Sequence, residues 1–143
     1  MQPSHVLVPM DGSPLAQEGF EHALAVFDCE VTVLNVVSSL DSPLSEGGVL
    51  EVDEERLEAA ERRSEKLIER ASQQAKTVDR EIETAVETGD PAEAILAYVD
   101  SHDIDQVVMG GHGGEHGRIA RRLLGTVTTA VVGDAPVTVT VVR

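Results

Sequence analysis

The run from Gly110 to Thr126 has residue types that could bind an anion. It combines closely spaced glycines with a cluster of arginines, namely Arg118, Arg121 and Arg122. Glycines let the backbone turn its N–H groups toward a ligand, and a helix that starts after such a loop favours negative charge at its first turn. Arginines so close to a helix start oppose the helix dipole slightly, which is a reason to look for a bound anion there.

The end of the same run places Gly125 directly before Thr126. We expect the helix after the glycine loop to include both residues and to continue to about Val132. A glycine inside a helix costs about 1 kcal/mol relative to alanine. Such a glycine lets a phosphate approach the backbone, with the Thr126 hydroxyl as a hydrogen-bond donor.

Other interpretations of the run are open or disfavoured by its pattern. Neither of the standard phosphate motifs, G-x-x-x-x-G-K-[ST] and G-x-G-x-x-G, occurs in it. An ordinary surface loop, whose arginines offset nearby acids, also fits the glycines, and Glu115 favours that interpretation. His112 and His116 are four residues apart, but a glycine-rich loop without a carboxylate cluster does not predict a zinc site.

Asp11 follows the first apolar run of the chain, in the turn sequence Asp11-Gly12-Ser13-Pro14. It is either a turn residue or a ligand contact for ribose hydroxyls or a metal, and its place at a strand end favours ligand contact. Ser13 lies in no G-x-S-x-G motif and has no recognisable histidine and acid as partners. We therefore expect no catalytic residues.

Alternating strands and helices must position these loops. Apolar or alternating runs predict five strands, over residues 5–10, 31–37, 81–87, 106–110 and 137–143. Between them we expect four helices, over residues 14–27, 50–77 and 91–102 and from the glycine loop to about residue 132. Ser13 and Asp90 each precede a proline and are expected to cap the first and third helices.

This order predicts a single α/β domain over residues 1–143, an open five-stranded parallel sheet with helices on both faces. Ligands of such sheets bind at the carboxyl ends of the strands where the strand order reverses. If the order is 3-2-1-4-5, the first and fourth strands are neighbours. The loop around Asp11 then faces the glycine loop across this switch point.

The chain carries a formal charge of −15, with 26 acidic and 11 basic residues. This charge repels nucleic acid and anionic membranes, so neither is expected as a partner. The sequence contains no stretch typical of a signal peptide or a membrane span, and we expect a cytoplasmic protein. The acidic residues and the scarcity of lysine are typical of a halophile. The single cysteine, Cys29, excludes an internal disulfide.

Several segments together resemble the universal stress protein family over essentially the whole chain. These are the opening HVLVPMDGSPLAQEGFEHAL, the apolar VTVLNVV, the turn ETGDPAEAIL, and the closing DQVVMGGHG, RRLLGTV and DAPVTVTVVR. The resemblance implies a sheet of order 3-2-1-4-5 and a homodimer formed through the last strand, here Val137 to Val142.

In the ATP-binding branch of this family, a G-x-x-G-x9-G-[ST] pattern holds the phosphates. Gly110, Gly113, Gly125 and Thr126 match its two ends. The resemblance further implies that Asp11 meets the ribose and that the backbone near Val36 meets adenine. A divalent ion, Mg or Mn, would lie by the phosphates.

The spacing departs from this pattern, because eleven residues separate Gly113 from Gly125. The surplus lies in GGEHG and reads as a two-residue insertion. The leading hypothesis is an ATP-binding stress-response module whose nucleotide state tunes an unknown protein partner, with slow ATP hydrolysis at most. The alternatives are a nucleotide-free interaction module of the same fold and, more remotely, a small-molecule enzyme that uses the same cleft.

Overall fold

A computed structural model describes residues 2–38, 50–111 and 125–143 of the chain. Strands and helices alternate through these residues. The strands are β1 (His5–Pro9), β2 (Glu30–Ser38), β3 (Glu83–Gly89), β4 (Gln106–Gly110) and β5 (Thr138–Val142). The helices are α1 (Pro14–Val26), α2 (Leu50–Thr77), α3 (Pro91–Ser101) and α4 (Thr126–Asp134).

All five strands form one parallel sheet in the order β3-β2-β1-β4-β5. The predicted fold class and strand order are therefore confirmed. The β3 strand begins and ends two residues later than predicted. Most of its side chains are exposed, so the burial pattern indicates the limits of this strand only weakly. The limits follow instead from pairing with β2, in which Glu83 lies opposite Thr32.

Helices cover both faces of the sheet, because successive side chains of a strand point to opposite faces. Val6 and Val8 of β1 pack with α1 and α2 on one face, while Leu7 between them packs with α3 and α4 on the other. All three of these side chains are fully buried. The near-continuous apolar runs of β1, β2 and β4 are thus explained by burial on two faces.

The predicted caps of α1 and α3 are present. The Ser13 hydroxyl accepts a hydrogen bond from the Ala16 N–H, and the Asp90 carboxylate accepts one from the Glu93 N–H. A proline follows each cap at the first helical position. Its fixed φ and missing N–H are both suited to that position.

The prediction that Gly125 lies inside a helix is wrong. Gly125 is the N-cap of α4, with extended backbone angles of φ −65° and ψ 163°. An N-cap accepts glycine readily, so the cost of a glycine in a helix interior does not arise here.

One side chain links three segments next to the start of β2. The Arg80 guanidinium donates to the carbonyl oxygens of Leu24 and Cys29, at 2.7 and 3.0 Å. Cys29 is half-buried, and desolvation raises the pKa of its thiol. None of the described helices has the length and apolar composition needed to cross a bilayer.

Candidate functional site

A cavity of about 470 Å³ opens where β1 and β4 end side by side. Its described wall combines an apolar part, the turn after β1 and the start of α4. The lining residues are Pro9, Met10, Asp11, Ser13, Ala16, Leu34, Val36, Pro91, Ile95, Met109, Gly110, Gly125, Thr126, Val127 and Thr128. Of the predicted site residues, the structure therefore brings together Asp11, Val36, Gly110, Gly125 and Thr126.

Four other predicted residues, Gly113, Arg118, Arg121 and Arg122, lie outside the described residues. The prediction that they bind phosphate remains a prediction. The described wall of the cavity is formed by the ends of β1, β2 and β4 and by the first turns of α1, α3 and α4.

Asp11 is both a turn residue and a cavity residue. One of its carboxylate oxygens accepts a hydrogen bond from the Ser13 N–H at 2.9 Å. The next residue, Gly12, has φ +85°, a conformation that glycine adopts without strain. Asp11 is exposed, so its second oxygen can accept hydrogen bonds from a ligand at the edge of the cavity.

A buried amide positions the backbone just before this turn. The Asn35 side chain donates a hydrogen bond to the carbonyl oxygen of Met10 at 2.8 Å, and the Met10 N–H donates to the carbonyl oxygen of Leu34. Asn35 was missed by the sequence reasoning. The signal for it was a single amide inside the apolar run VTVLNVV, since a buried amide needs hydrogen-bond partners.

The start of α4 presents N–H groups at the cavity wall. The Gly125 N–H donates to the carbonyl oxygen of Gly111, and Gly125 provides no side-chain cap. The first intrahelical bond of α4 joins the Thr129 N–H to the Gly125 carbonyl oxygen. The N–H groups of the residues between them, which include Thr126 and Val127, thus have no acceptor within the helix. This arrangement favours an anion.

Gly110 has a structural role besides its place in the cavity wall. A Cβ on this residue would lie 2.7 Å from the Leu15 carbonyl carbon and 2.8 Å from the Ala16 nitrogen. The beginning of α1 therefore packs directly on the backbone at the end of β4. The glycine that the sequence suggested for phosphate binding is also required for this close approach.

The described wall has a suitable place for a flat apolar group. Met10, Leu34, Ile95 and Met109 are buried, and Val36 is half-buried at the end of β2. Asp11 is the sole titratable side chain among the described lining residues. The cavity thus has an apolar part, one carboxylate and a helix N-terminus, which suit the base, sugar and phosphates of a nucleotide.

A separate cluster of titratable groups lies at the other end of the sheet. The side chains of His5, Glu30 and Glu83 place their ligand atoms within 4.8 Å of one another. The pKa of Glu83 is raised, mainly because its carboxyl group shares a hydrogen bond with Glu30 and is repelled by its charge. Because these residues begin β1, β2 and β3, the cluster is remote from the cavity at the strands' carboxyl ends.

Comparisons with known proteins agree with this architecture. The sequence profile of the universal stress protein family matches residues 3–143. No curated protein sequence matches the chain significantly. Among solved structures, universal stress protein UspA from Lactobacillus plantarum is 28% identical, with a TM-score of 0.87 and coverage of 100% of this chain and 99% of that one.

Two more distant structures contain nucleotides. A universal stress protein in complex with cAMP is 23% identical, with a TM-score of 0.71 and coverage of 100% of this chain and 99% of that one. An Arabidopsis thaliana universal stress protein with AMP bound is 20% identical, with a TM-score of 0.69 and coverage of 98% and 91%. At these identities the likeness shows a shared fold.

The family profile, in contrast, covers nearly the whole chain, from β1 to β5. The strand order of the sheet and the turn after β1 agree with the segments in which the sequence resembles that family. On this evidence the chain belongs to the universal stress protein family.

Proposed function

We propose that this chain is an ATP-binding universal stress protein. Adenine would lie against Val36 and the buried apolar side chains of the cavity, the ribose against Asp11, and the phosphates at the start of α4. The observation that carries this proposal is the shared wall of one cavity. In this wall an apolar part lies between an exposed carboxylate and a helix N-terminus that no side chain of the described residues caps.

The comparisons support the ligand class. The structures with cAMP and AMP bound both contain adenine nucleotides. In this chain the Thr126 side chain is exposed at the first helical position of α4, where its hydroxyl can donate to a phosphate. The predicted residues Gly113, Arg118, Arg121 and Arg122 would complete the phosphate contacts.

A divalent ion, Mg or Mn, fits the donor chemistry of the described wall. The Asp11 carboxylate and the Thr126 hydroxyl are oxygen ligands of the kind that these hard cations prefer. When bound, the ion neutralises phosphate charge. Because the described wall holds no lysine or histidine, we expect any hydrolysis of ATP to be slow.

We further propose a cytoplasmic homodimer that pairs through β5. This strand is at one edge of the sheet and carries alternating Thr and Val residues without charge. An uncharged edge strand exposes unpaired backbone groups that a second copy can cover. Nucleotide binding at the ends of β1 and β4 would then tune the contact with a protein partner.

Titration calorimetry with Mg-ATP tests the nucleotide proposal. Gly125→Val adds a branched side chain at the start of α4, and we expect it to lower ATP affinity by at least about tenfold by blocking phosphate approach. Gly133→Val adds the same side chain near the other end of α4, where a Cβ meets nothing within 4 Å. This control variant should bind ATP as the unmodified protein does.

Nucleotide that co-purifies with the protein gives an independent result. Acid quenching should release adenine nucleotide from the unmodified protein. Absence of released nucleotide, together with no heat on titration with Mg-ATP, would overturn the proposal. A nucleotide-free interaction module would then be the better description of the chain.

A further inference from the structure

A second cavity, of about 580 Å³, lies on the other side of the turn after β1. It shares Met10, Asp11, Val36 and Pro91 with the first cavity, but its outer wall is the middle of α2. The two cavities are therefore neighbours on the two faces of the sheet. The proposed positions of adenine, ribose and phosphates leave this second cavity without a function.

Three cations of α2 line this cavity, namely Arg63, Lys66 and Arg70. They are spaced by three and four residues, which places them in a row on one side of the helix. Among the side chains that the structure describes, none of the three forms an ion pair within 4.0 Å. A row of like charges destabilises a helix unless an anion compensates them.

The same wall contains a buried hydroxyl with unused hydrogen-bonding capacity. Ser64 is 4% exposed and lines the cavity, and its Oγ has no hydrogen-bond partner among the described residues. A buried polar atom without a partner is unusual in a native protein and calls for an explanation. A ligand oxygen in the cavity supplies such a partner.

We propose that this second cavity binds a phosphate group, with Arg63, Lys66 and Arg70 as charged donors and Ser64 as a neutral one. A row of exposed cations alone would be an ordinary solvated helix face. The unpartnered Ser64 hydroxyl beside the row is the independent observation that points to a ligand. The single acid of the described wall, Asp11, has one oxygen engaged with the Ser13 N–H.

Two sources of phosphate satisfy this chemistry. One is a free anion, such as inorganic pyrophosphate or a phosphorylated metabolite. The other is a distal phosphate group of a nucleotide held in the neighbouring cavity, since the two cavities share Asp11 and Val36. The proposal does not rest on the proposed function, because a free anion needs no nucleotide beside it.

Titration of the full chain with inorganic pyrophosphate tests the site. The Gly125→Val variant is the background, so that binding at the start of α4 does not contribute. We expect one pyrophosphate per chain, and the added pair Arg63→Gln and Arg70→Gln should weaken binding by about tenfold or more. Arg62→Gln is the matched control: Arg62 is on α2, pairs with Glu58 and is absent from the cavity wall. It should change affinity by less than about twofold.

Ser64→Ala separates ligand binding from a structural role. Removing a buried, unpaired hydroxyl should raise the melting temperature of the protein without ligand. The same change should lower pyrophosphate affinity. The melting temperature should thus rise while binding weakens, which a purely structural role of Ser64 would not produce. No pyrophosphate binding, or equal losses in Arg62→Gln and the double variant, would overturn the proposal.

Saturation with Mg-ATP distinguishes the two sources. If pyrophosphate still binds to the unmodified, ATP-saturated protein, the site takes a free anion. If ATP displaces pyrophosphate and the double variant also weakens ATP binding, the site takes a phosphate of the nucleotide. Both results support phosphate binding by these residues. Loss of ATP binding in Gly125→Val, with pyrophosphate binding kept, shows that the two proposals succeed or fail separately.

Discussion

The Thr128 hydroxyl donates a hydrogen bond to the carbonyl oxygen of Gly110, with 2.9 Å between the two oxygens. This bond joins the first turn of α4 to the end of β4. Thr128 is buried and Gly110 is half-buried, so the bond is partly shielded from water. It holds the start of α4 against the edge of the sheet at which we propose that phosphate binds.

Replacing Thr128 with valine keeps the shape of the side chain but removes this bond. We expect Thr128→Val to lower the free energy of unfolding by about 1–2 kcal/mol, because the half-buried Gly110 carbonyl loses a donor. ATP affinity should fall as well, since the start of α4 is less firmly placed. Thr129→Val is the control, because Thr129 is exposed. Equal effects in the two variants, measured by denaturant unfolding and calorimetry, would contradict this role.

Gly110→Ala should destabilise the protein by about 1–3 kcal/mol, because the added methyl group meets the α1 backbone. The contact involves main-chain atoms at 2.7 and 2.8 Å, which cannot rotate away. Gly133→Ala, where no atom lies within 4 Å of the added Cβ, should instead be neutral or stabilising by up to about 1 kcal/mol. Urea unfolding of both variants measures the difference, and a stable Gly110→Ala protein would refute the close approach.

Glu83→Gln should raise the melting temperature near pH 7 and have little effect near pH 4. In the folded protein the pKa of Glu83 is raised, first by its hydrogen bond with Glu30 and then by the charge of that residue. The stabilising contribution of the protonated group is therefore present at low pH and lost as pH rises through the raised pKa. An amide at this position avoids this loss. Thermal unfolding near pH 7 and near pH 4 measures the difference in melting temperature between Glu83→Gln and the unmodified protein.

Glu87→Gln is the control for this pH effect. Glu87 lies on the same strand but opposite Val36, away from Glu30. If Glu87→Gln and Glu83→Gln raise the melting temperature near pH 7 by the same amount over the unmodified protein, the cause is a general effect of net charge.

Val141→Lys should convert the proposed dimer to a monomer, because a lysine on an edge strand opposes pairing with another strand. Val86→Lys makes the same change on β3, the opposite edge of the sheet, where Val86 is 49% exposed. This control should remain dimeric. Sedimentation velocity distinguishes the outcomes, and dissociation of Val86→Lys alone would place the dimer contact at β3.

The acidic surface predicts that KCl stabilises the chain. At a formal charge of −15, self-repulsion opposes the folded state, and about 1 M salt shortens the Debye length to about 3 Å. We expect the midpoint of thermal unfolding to rise steadily with KCl concentration. Full stability in dilute buffer would count against adaptation to high salt.

The sequence predicted the fold because its signals were local and strong. Ser13-Pro14 and Asp90-Pro91 marked two helix starts that the structure confirms. The apolar run of β2 indicated a strand buried on both faces, and the bounds of α2 agree with those predicted. Asp11 and Gly125 could be assigned to one cavity once the strand order was known, since the ends of neighbouring parallel strands lie together.

What the sequence could not indicate depends on distant contacts. The role of Gly110 in the packing of α1 arises from two segments about ninety residues apart in the chain. The position of Gly125 at a cap, rather than inside a helix, follows from its hydrogen bond to Gly111. From the sequence, the cations of α2 are expected on the solvated side of an amphipathic helix. Only the fold shows that Arg63 and Arg70 line a cavity together with the turn after β1.

The two hydrogen bonds of Arg80 show an advantage of arginine over lysine in this chain. A planar guanidinium reaches the carbonyl oxygens of Leu24 and Cys29 together, whereas a lysine presents a single ammonium point. Its acceptors are neutral, so this attachment depends on short contact and is little affected by the dissolved ions that screen separated charges. At high salt concentration, the Arg80 hydrogen bonds should therefore still join these segments when the long-range interactions between charges are screened.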